Sequence, residues 1–121
     1  MTAPVLTRWF ATMDSDAPEY VLTMIAPGFR FSIVFSRADG SATDFAGGRE
    51  AMEGYLRQRE KGVLTHHVIS AATVGVDELV LGQARRAGGF ESTFVAAARL
   101  DRNGLVSSLM IGRSPALDIE S

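Results

Sequence analysis

Cysteine is absent from the 121 residues, which excludes a disulfide framework, a thiol nucleophile and any thiolate-held metal. Histidine is nearly as scarce: His66 and His67 are the only two imidazoles, so no metal and no cofactor is expected. An excess of basic residues is missing too. The formal net charge is −2 and the isoelectric point about 5.6, which leaves no electrostatic footprint for a phosphate backbone or anionic lipid. Neither nucleic acid nor membrane is therefore expected as a partner. No apolar run approaches the length of a membrane span, and the opening Met1–Arg8 has no basic region followed by an apolar one. The cytoplasm is the expected compartment.

What is present is an ordinary globular composition, 46% hydrophobic and 21% charged, at a length that suits one domain over residues 1–121. Pro4 can occupy a first helical turn, and Val5, Leu6, Trp9, Phe10 and Met13 then repeat at helical spacing. Asp14-Ser15-Asp16 ends this helix. Asp16-Ala17 before Pro18-Glu19 starts a second, running to about Ala26, where Pro27-Gly28 stops it. Phe29, Phe31, Ile33 and Phe35 alternate with more polar residues as in a strand, and Asp39-Gly40 suggests a hairpin into a short return strand near Ala42 to Phe45. Gly47-Gly48 precedes a third helix, about Arg49 to Lys61, that Gly62 closes.

After Gly62 the periodicity changes. Strand-like runs near 63–75, 78–87, 90–101 and 105–112 are separated by short turn-forming breaks, which favours an antiparallel meander. The tail from Ser114 is expected to fray. Helices first and strands later give an α+β class: three helices in the N-terminal half against one face of a cone-shaped, curved antiparallel sheet that can keep a ligand cavity. Apolar residues on both faces of the long strands, as in Phe94-Val95-Ala96-Ala97-Ala98, imply that the outer face is covered by a second copy, a homodimer.

Three stretches in this order carry a family resemblance: Gly48-Arg49-Glu50-Ala51-Met52, Thr65-His66-His67-Val68-Ile69-Ser70, and Leu100-Asp101-Arg102-Asn103-Gly104-Leu105-Val106. Over nearly its whole length the chain resembles the SnoaL-like proteins of the nuclear transport factor 2-like superfamily, whose fold is a cystatin-like α+β barrel. That superfamily includes ketosteroid isomerase, scytalone dehydratase and polyketide cyclases beside members that only bind or associate. Met13-Asp14-Ser15, Ile25-Ala26-Pro27 and Thr65-His66-His67-Val68-Ile69 look like segments of scytalone dehydratase. The resemblance puts that enzyme's catalytic histidine on His67 and its two tyrosines on Met13 and on or near Ile33; its second histidine falls near Ala84. The tyrosines are thus missing here, which argues against that exact activity.

On a regular strand His67 shares a face with Ile69, Ala71 and Thr73, and His66 with Val68, Ser70 and Ala72; periodicity leaves open which face looks inward. The resemblance favours His67 as the general base or acid, with Asp14 as the carboxylate that orients it. Trp9, Met13, Phe31 and Ile33 are the candidate lining of a pocket for a small apolar molecule carrying a carbonyl. Lyase, isomerase or cyclase chemistry is one expectation, and a non-catalytic ligand-binding or dimerisation module of the same fold is the other. Arg85-Arg86 and Arg99 are expected at the surface, and Tyr20 and Tyr55 in packing.

Overall fold

The computed structural model describes residues 2–36, 40–59 and 62–120. Helix α1 (Pro4–Met13) begins with a residue whose missing N–H costs no hydrogen bond, and it buries Leu6, Trp9, Phe10 and Met13 along one face. No side chain of its own N-cap closes that end. The sheet supplies the cap instead. Glu78, 2% exposed, accepts hydrogen bonds from the backbone N–H of Val5 (3.1 Å) and Leu6 (2.7 Å), setting a carboxylate at the positive end of the helix dipole.

The second helix is a short 3-10 turn, Pro18–Thr23, that ends before Ala26. Pro27 and Gly28 do not stop it; they lie inside strand β1 (Ile25–Ser36), at an irregularity where the register jumps between Ile25 and Arg30. Such breaks are where strands tolerate Pro and Gly. Strand β2 (Ala42–Gly47) returns antiparallel to β1, and the expected Asp39-Gly40 turn falls partly outside the described residues. Helix α2 (Arg49–Gln58) follows, burying Met52, Tyr55 and Leu56. It stops short of Lys61 because Arg59 is already extended (ψ 147°), so Gly62 (φ +76°) turns the chain into the next strand and does not close the helix.

From there the alternating pattern becomes β3 (Leu64–Val74), β4 (Asp77–Arg86), β5 (Gly89–Leu100) and β6 (Val106–Ser114), paired consecutively and antiparallel. Strand β6 then lies parallel to β1, giving one curved, unclosed sheet in the order β2-β1-β6-β5-β4-β3. The architecture is α+β, as the periodicity implies. The core sits between the helices and one sheet face and includes Trp9, Phe10, Phe29, Phe31, Ile33, Phe94, Leu109 and Ile111. Contrary to expectation the tail is tied down: Thr93 Oγ1 donates to the Leu117 carbonyl (2.6 Å) and Gln83 Nε2 to Asp118 Oδ1 (2.9 Å). Among the described residues no helix is long and apolar enough to cross a membrane.

Replacing Glu78 with Ala leaves two N–H groups of α1 without their acceptor and should cost about 2–3 kcal/mol, while Glu78→Gln, which keeps one acceptor oxygen, should cost less. Urea denaturation reads both, and an unchanged midpoint in Glu78→Ala would show that the carboxylate does not hold the helix to the sheet.

Candidate functional site

Asp14 is the residue at which α1 ends, and a carboxylate there opposes the helix dipole. Two neighbours compensate. Arg59 donates from Nη1 to the Met13 carbonyl (3.1 Å), bringing a cation to the helix C-terminus. The second neighbour is a histidine, and it is His66. The His66 backbone N–H donates to Asp14 Oδ2 (2.7 Å), and its ring Nδ1–H donates to Asp14 Oδ1 (2.6 Å). This corrects the expected His67–Asp14 pair. His67 pairs across the sheet with Gln83, and its Nε2 is hydrogen-bonded to Thr65 Oγ1 at 3.0 Å.

A β-bulge explains the exchange. The β3–β4 register runs from Val68 opposite Gly82 to Ser70 opposite Leu81, so Ile69 is an extra residue and the parity of the strand reverses there. His66 therefore shares its face with Ala71 and Thr73, the partners that unbroken alternation gives to His67.

The His66 side chain is 2% exposed and wedged between rings, stacked on Phe10 (4.8 Å between centroids) and edge-on to Phe94 (5.4 Å). Gly82 makes room for this: a Cβ there would meet the Phe94 ring at 2.4 Å and the His67 carbonyl oxygen at 2.8 Å. The remaining ring nitrogen, Nε2, accepts a hydrogen bond from Arg113 Nη2 (2.8 Å). Asp14, His66 and Arg113 thus form one chain in which a neutral imidazole with its proton on Nδ1 links carboxylate to guanidinium. Burial pushes the His66 pKa below 6.5 and the Arg113 charge adds to that, outweighing the Asp14 bond that favours the imidazolium.

Arg113 continues the inward parity of Leu109 and Ile111 at the end of β6, with its guanidinium 4.6 Å from the centroid of the Phe35 ring. Burial draws its pKa below the ordinary arginine value, and the Arg59 charge acts in the same direction. It borders a cavity of about 560 Å³ whose apolar wall is Phe35, Phe45 and Tyr55, from β1, β2 and α2. Phe45 and Tyr55 meet edge to face with centroids 5.0 Å apart. Arg59, Arg86, Glu91 and Ser92 supply the polar wall. Glu91 and Ser92 are adjacent yet both reach the cavity, because the β4–β5 register shifts between Ala84 and Arg85 and leaves Glu91 as the extra residue. Among the described residues, the buried side-chain polar atoms with no hydrogen-bond partner in the protein are Ser92 Oγ and Arg113 Nε. Both residues line this one cavity. Buried polar atoms are nearly always satisfied, so two orphans in residues of one cavity wall are unsatisfied polarity concentrated beside that cavity.

No protein-family model and no curated protein matches the sequence. Solved structures do match in shape. A loop-truncation variant of IdmH superposes with a TM-score of 0.70 at 19% identity, over 92% of this chain and 91% of that one. A SnoaL-like family protein from Agrobacterium tumefaciens gives 0.67 at 13% identity, over 92% and 95%. A protein with a ketosteroid isomerase-like fold from Catenulispora acidiphila, solved with trimethylamine, gives 0.66 at 17%, over 92% and 85%. The chain has the SnoaL-like, NTF2-like fold. At these identities the likeness establishes the fold and leaves the chemistry to the residues.

Within this NTF2-like fold the expected pocket residues lie elsewhere. Trp9, Met13, Phe31 and Ile33 are all buried in the core, and none lines the cavity. Tyr55 is packed in the core, as expected, and also walls the cavity; Arg86 and Arg99 are at the surface, as expected, with Arg86 on the cavity rim and Arg99 paired with Asp77; Tyr20, expected in packing, is exposed. Arg113 has one signal in the sequence, its parity with Leu109 and Ile111: a charge at an inward position of an apolar strand. Among the described residues no three His, Asp or Glu side chains converge as metal ligands.

The lowered His66 pKa fixes a pH dependence. Between the folded value and 6.5 the unfolded chain binds the extra proton, so this contribution to stability is whole above 6.5 and is lost as pH falls. Acidification from about pH 7.5 to about pH 5.5 should therefore destabilise the wild type more than His66→Asn. Equal losses in urea denaturation would assign the effect to other groups.

Proposed function

We propose that this chain binds a small, largely apolar molecule in the 560 Å³ cavity and presents Arg113 to a carbonyl oxygen of that molecule. The observation that carries the reading is the guanidinium of Arg113, which borders the cavity, is held from behind by the Asp14–His66 pair and keeps a buried Nε with no partner in the protein. The aromatic wall suits an apolar body, and guanidinium donors suit the oxygen.

The same geometry supports acid–base chemistry of the lyase, isomerase or cyclase type, with His66 in the role first expected of His67. At rest Nε2 is occupied by Arg113 and cannot take a proton. If the guanidinium turns to the ligand oxygen, the lone pair is freed. A proton on the carbon next to the carbonyl can then pass to Nε2, while the C–H electron pair moves into an enolate whose oxygen Arg113 holds. Asp14 stabilises the resulting imidazolium. In the alternative, a purely binding module, Arg113 grips the ligand and no proton moves.

A thermal-shift panel of small carbonyl compounds, followed by turnover assays on those that bind, tests both readings. For an enzyme, His66→Ala should lose at least about a hundredfold in rate and His67→Ala almost nothing. Wild-type turnover retained in His66→Ala removes the acid–base role. Binding by the wild type with no turnover of any ligand favours the module.

The opposite face of the sheet supports a second part of the proposal, a homodimer. Val34, Leu79, Val95 and Met110 are 36%, 43%, 58% and 63% exposed there, around a shallow apolar hollow of about 540 Å³. One exposed apolar face spanning five strands, β1, β6, β5, β4 and β3, is what a second copy of the same sheet would cover. Sedimentation at micromolar concentration should show a dimer that Met110→Asp with Val95→Asp dissociates; a monomeric wild type would contradict it.

A further inference from the structure

The charges around the cavity do not cancel. Among the described residues three guanidiniums line it, those of Arg59, Arg86 and Arg113. Arg86 Nε donates to Glu91 Oε1 at 2.7 Å, so those two charges offset each other. Arg113 has its counter-charge one residue away, in Asp14, through the neutral His66. Among the described residues that line the cavity, Arg59 is the remaining cation. Its Nη1 is spent on the Met13 carbonyl, which is neutral, and among the described residues no carboxylate is within ion-pair distance of it. It also lies close enough to Arg113 and His66 to disfavour a positive charge on either. Two like charges held at one partly dry cavity repel unless an anion joins them, and a guanidinium fork offers two parallel donors to a planar carboxylate, as it does to a phosphate.

We infer that the ligand carries a carboxylate besides its carbonyl group: an oxo acid whose carboxylate is bound by Arg59 while its carbonyl faces Arg113 and its apolar body lies against Phe35, Phe45 and Tyr55. This deepens the reading of the cavity as a small-molecule site and rests on it. One negative charge is what the balance of the described side chains calls for. A dianion such as a phosphate monoester would overcompensate it, beside a Glu91 carboxylate that would repel it.

The test uses matched pairs of aryl oxo acids and their methyl esters: benzoylformate, phenylpyruvate and 3-benzoylpropanoate, each measured by thermal shift and calorimetry on the intact wild-type protein, with inorganic phosphate in parallel. At least one acid should bind about tenfold or more tighter than its ester, with the advantage shrinking as salt is added. Arg59→Gln should bring that acid down to the affinity of its ester. Esters that bind as well as acids overturn the carboxylate assignment while leaving the small-molecule site intact. Phosphate binding as tightly as the best acid overturns it in favour of a general anion site, and an acid advantage surviving in Arg59→Gln overturns the role of Arg59. Failure of every acid and ester to bind overturns both this inference and the reading beneath it.

Discussion

One carboxylate organises the site. Asp14 uses both of its oxygens on a single residue, taking the backbone N–H and the ring Nδ1–H of His66, and so ties the end of α1 to the start of β3. The first bond fixes where the strand lies and the second fixes which nitrogen carries the proton. With the tautomer set, Nε2 can only accept, and the group it accepts from is Arg113. The direction of the guanidinium that borders the cavity is therefore decided on the far side of the imidazole. An Asn at position 14 would have one acceptor oxygen for two donors and could satisfy only one of the two requirements.

Burial gives this chain its consequences. In water a neutral histidine between a carboxylate and an arginine would be one of several states in exchange. Packed between Phe10 and Phe94, the imidazole is held neutral because charging it costs desolvation and places a second cation beside Arg113. The cost is that a base is present but occupied. Arg113 thereby links binding to reactivity in the proposed mechanism, since the movement that offers its N–H groups to a ligand oxygen is the same movement that uncovers the base.

The sequence carried the fold to a large extent. Helical spacing before Gly62 and alternation after it place α1, α2 and the β3 to β6 meander correctly, because those patterns reflect a single buried face on each element. Pro27-Gly28 misled because its meaning depends on whether a helix or a strand surrounds it, and only tertiary pairing decides that. The parallel contact of β6 with β1 joins residues far apart in the chain and has no local signature. At the site, Asp14 was legible as a carboxylate after an apolar helix face, whereas the choice of histidine was not. A single inserted residue, Ile69, reverses the parity of β3, and nothing in Val68-Ile69-Ser70 announces a bulge. Arg113 lies one residue past the strand end that the pattern marks near 112, so alternation alone does not carry its inward position.

The central claim is that His66 is a neutral imidazole with its proton on Nδ1 and its Nε2 accepting from Arg113. Nitrogen-15 NMR of the ligand-free protein near neutral pH measures this directly. The account predicts a protonated Nδ1 and an unprotonated, hydrogen-bond-accepting Nε2, with the Nε2 signal shifting when Arg113 is replaced by Leu. A proton on Nε2, or a doubly protonated ring at that pH, would contradict it.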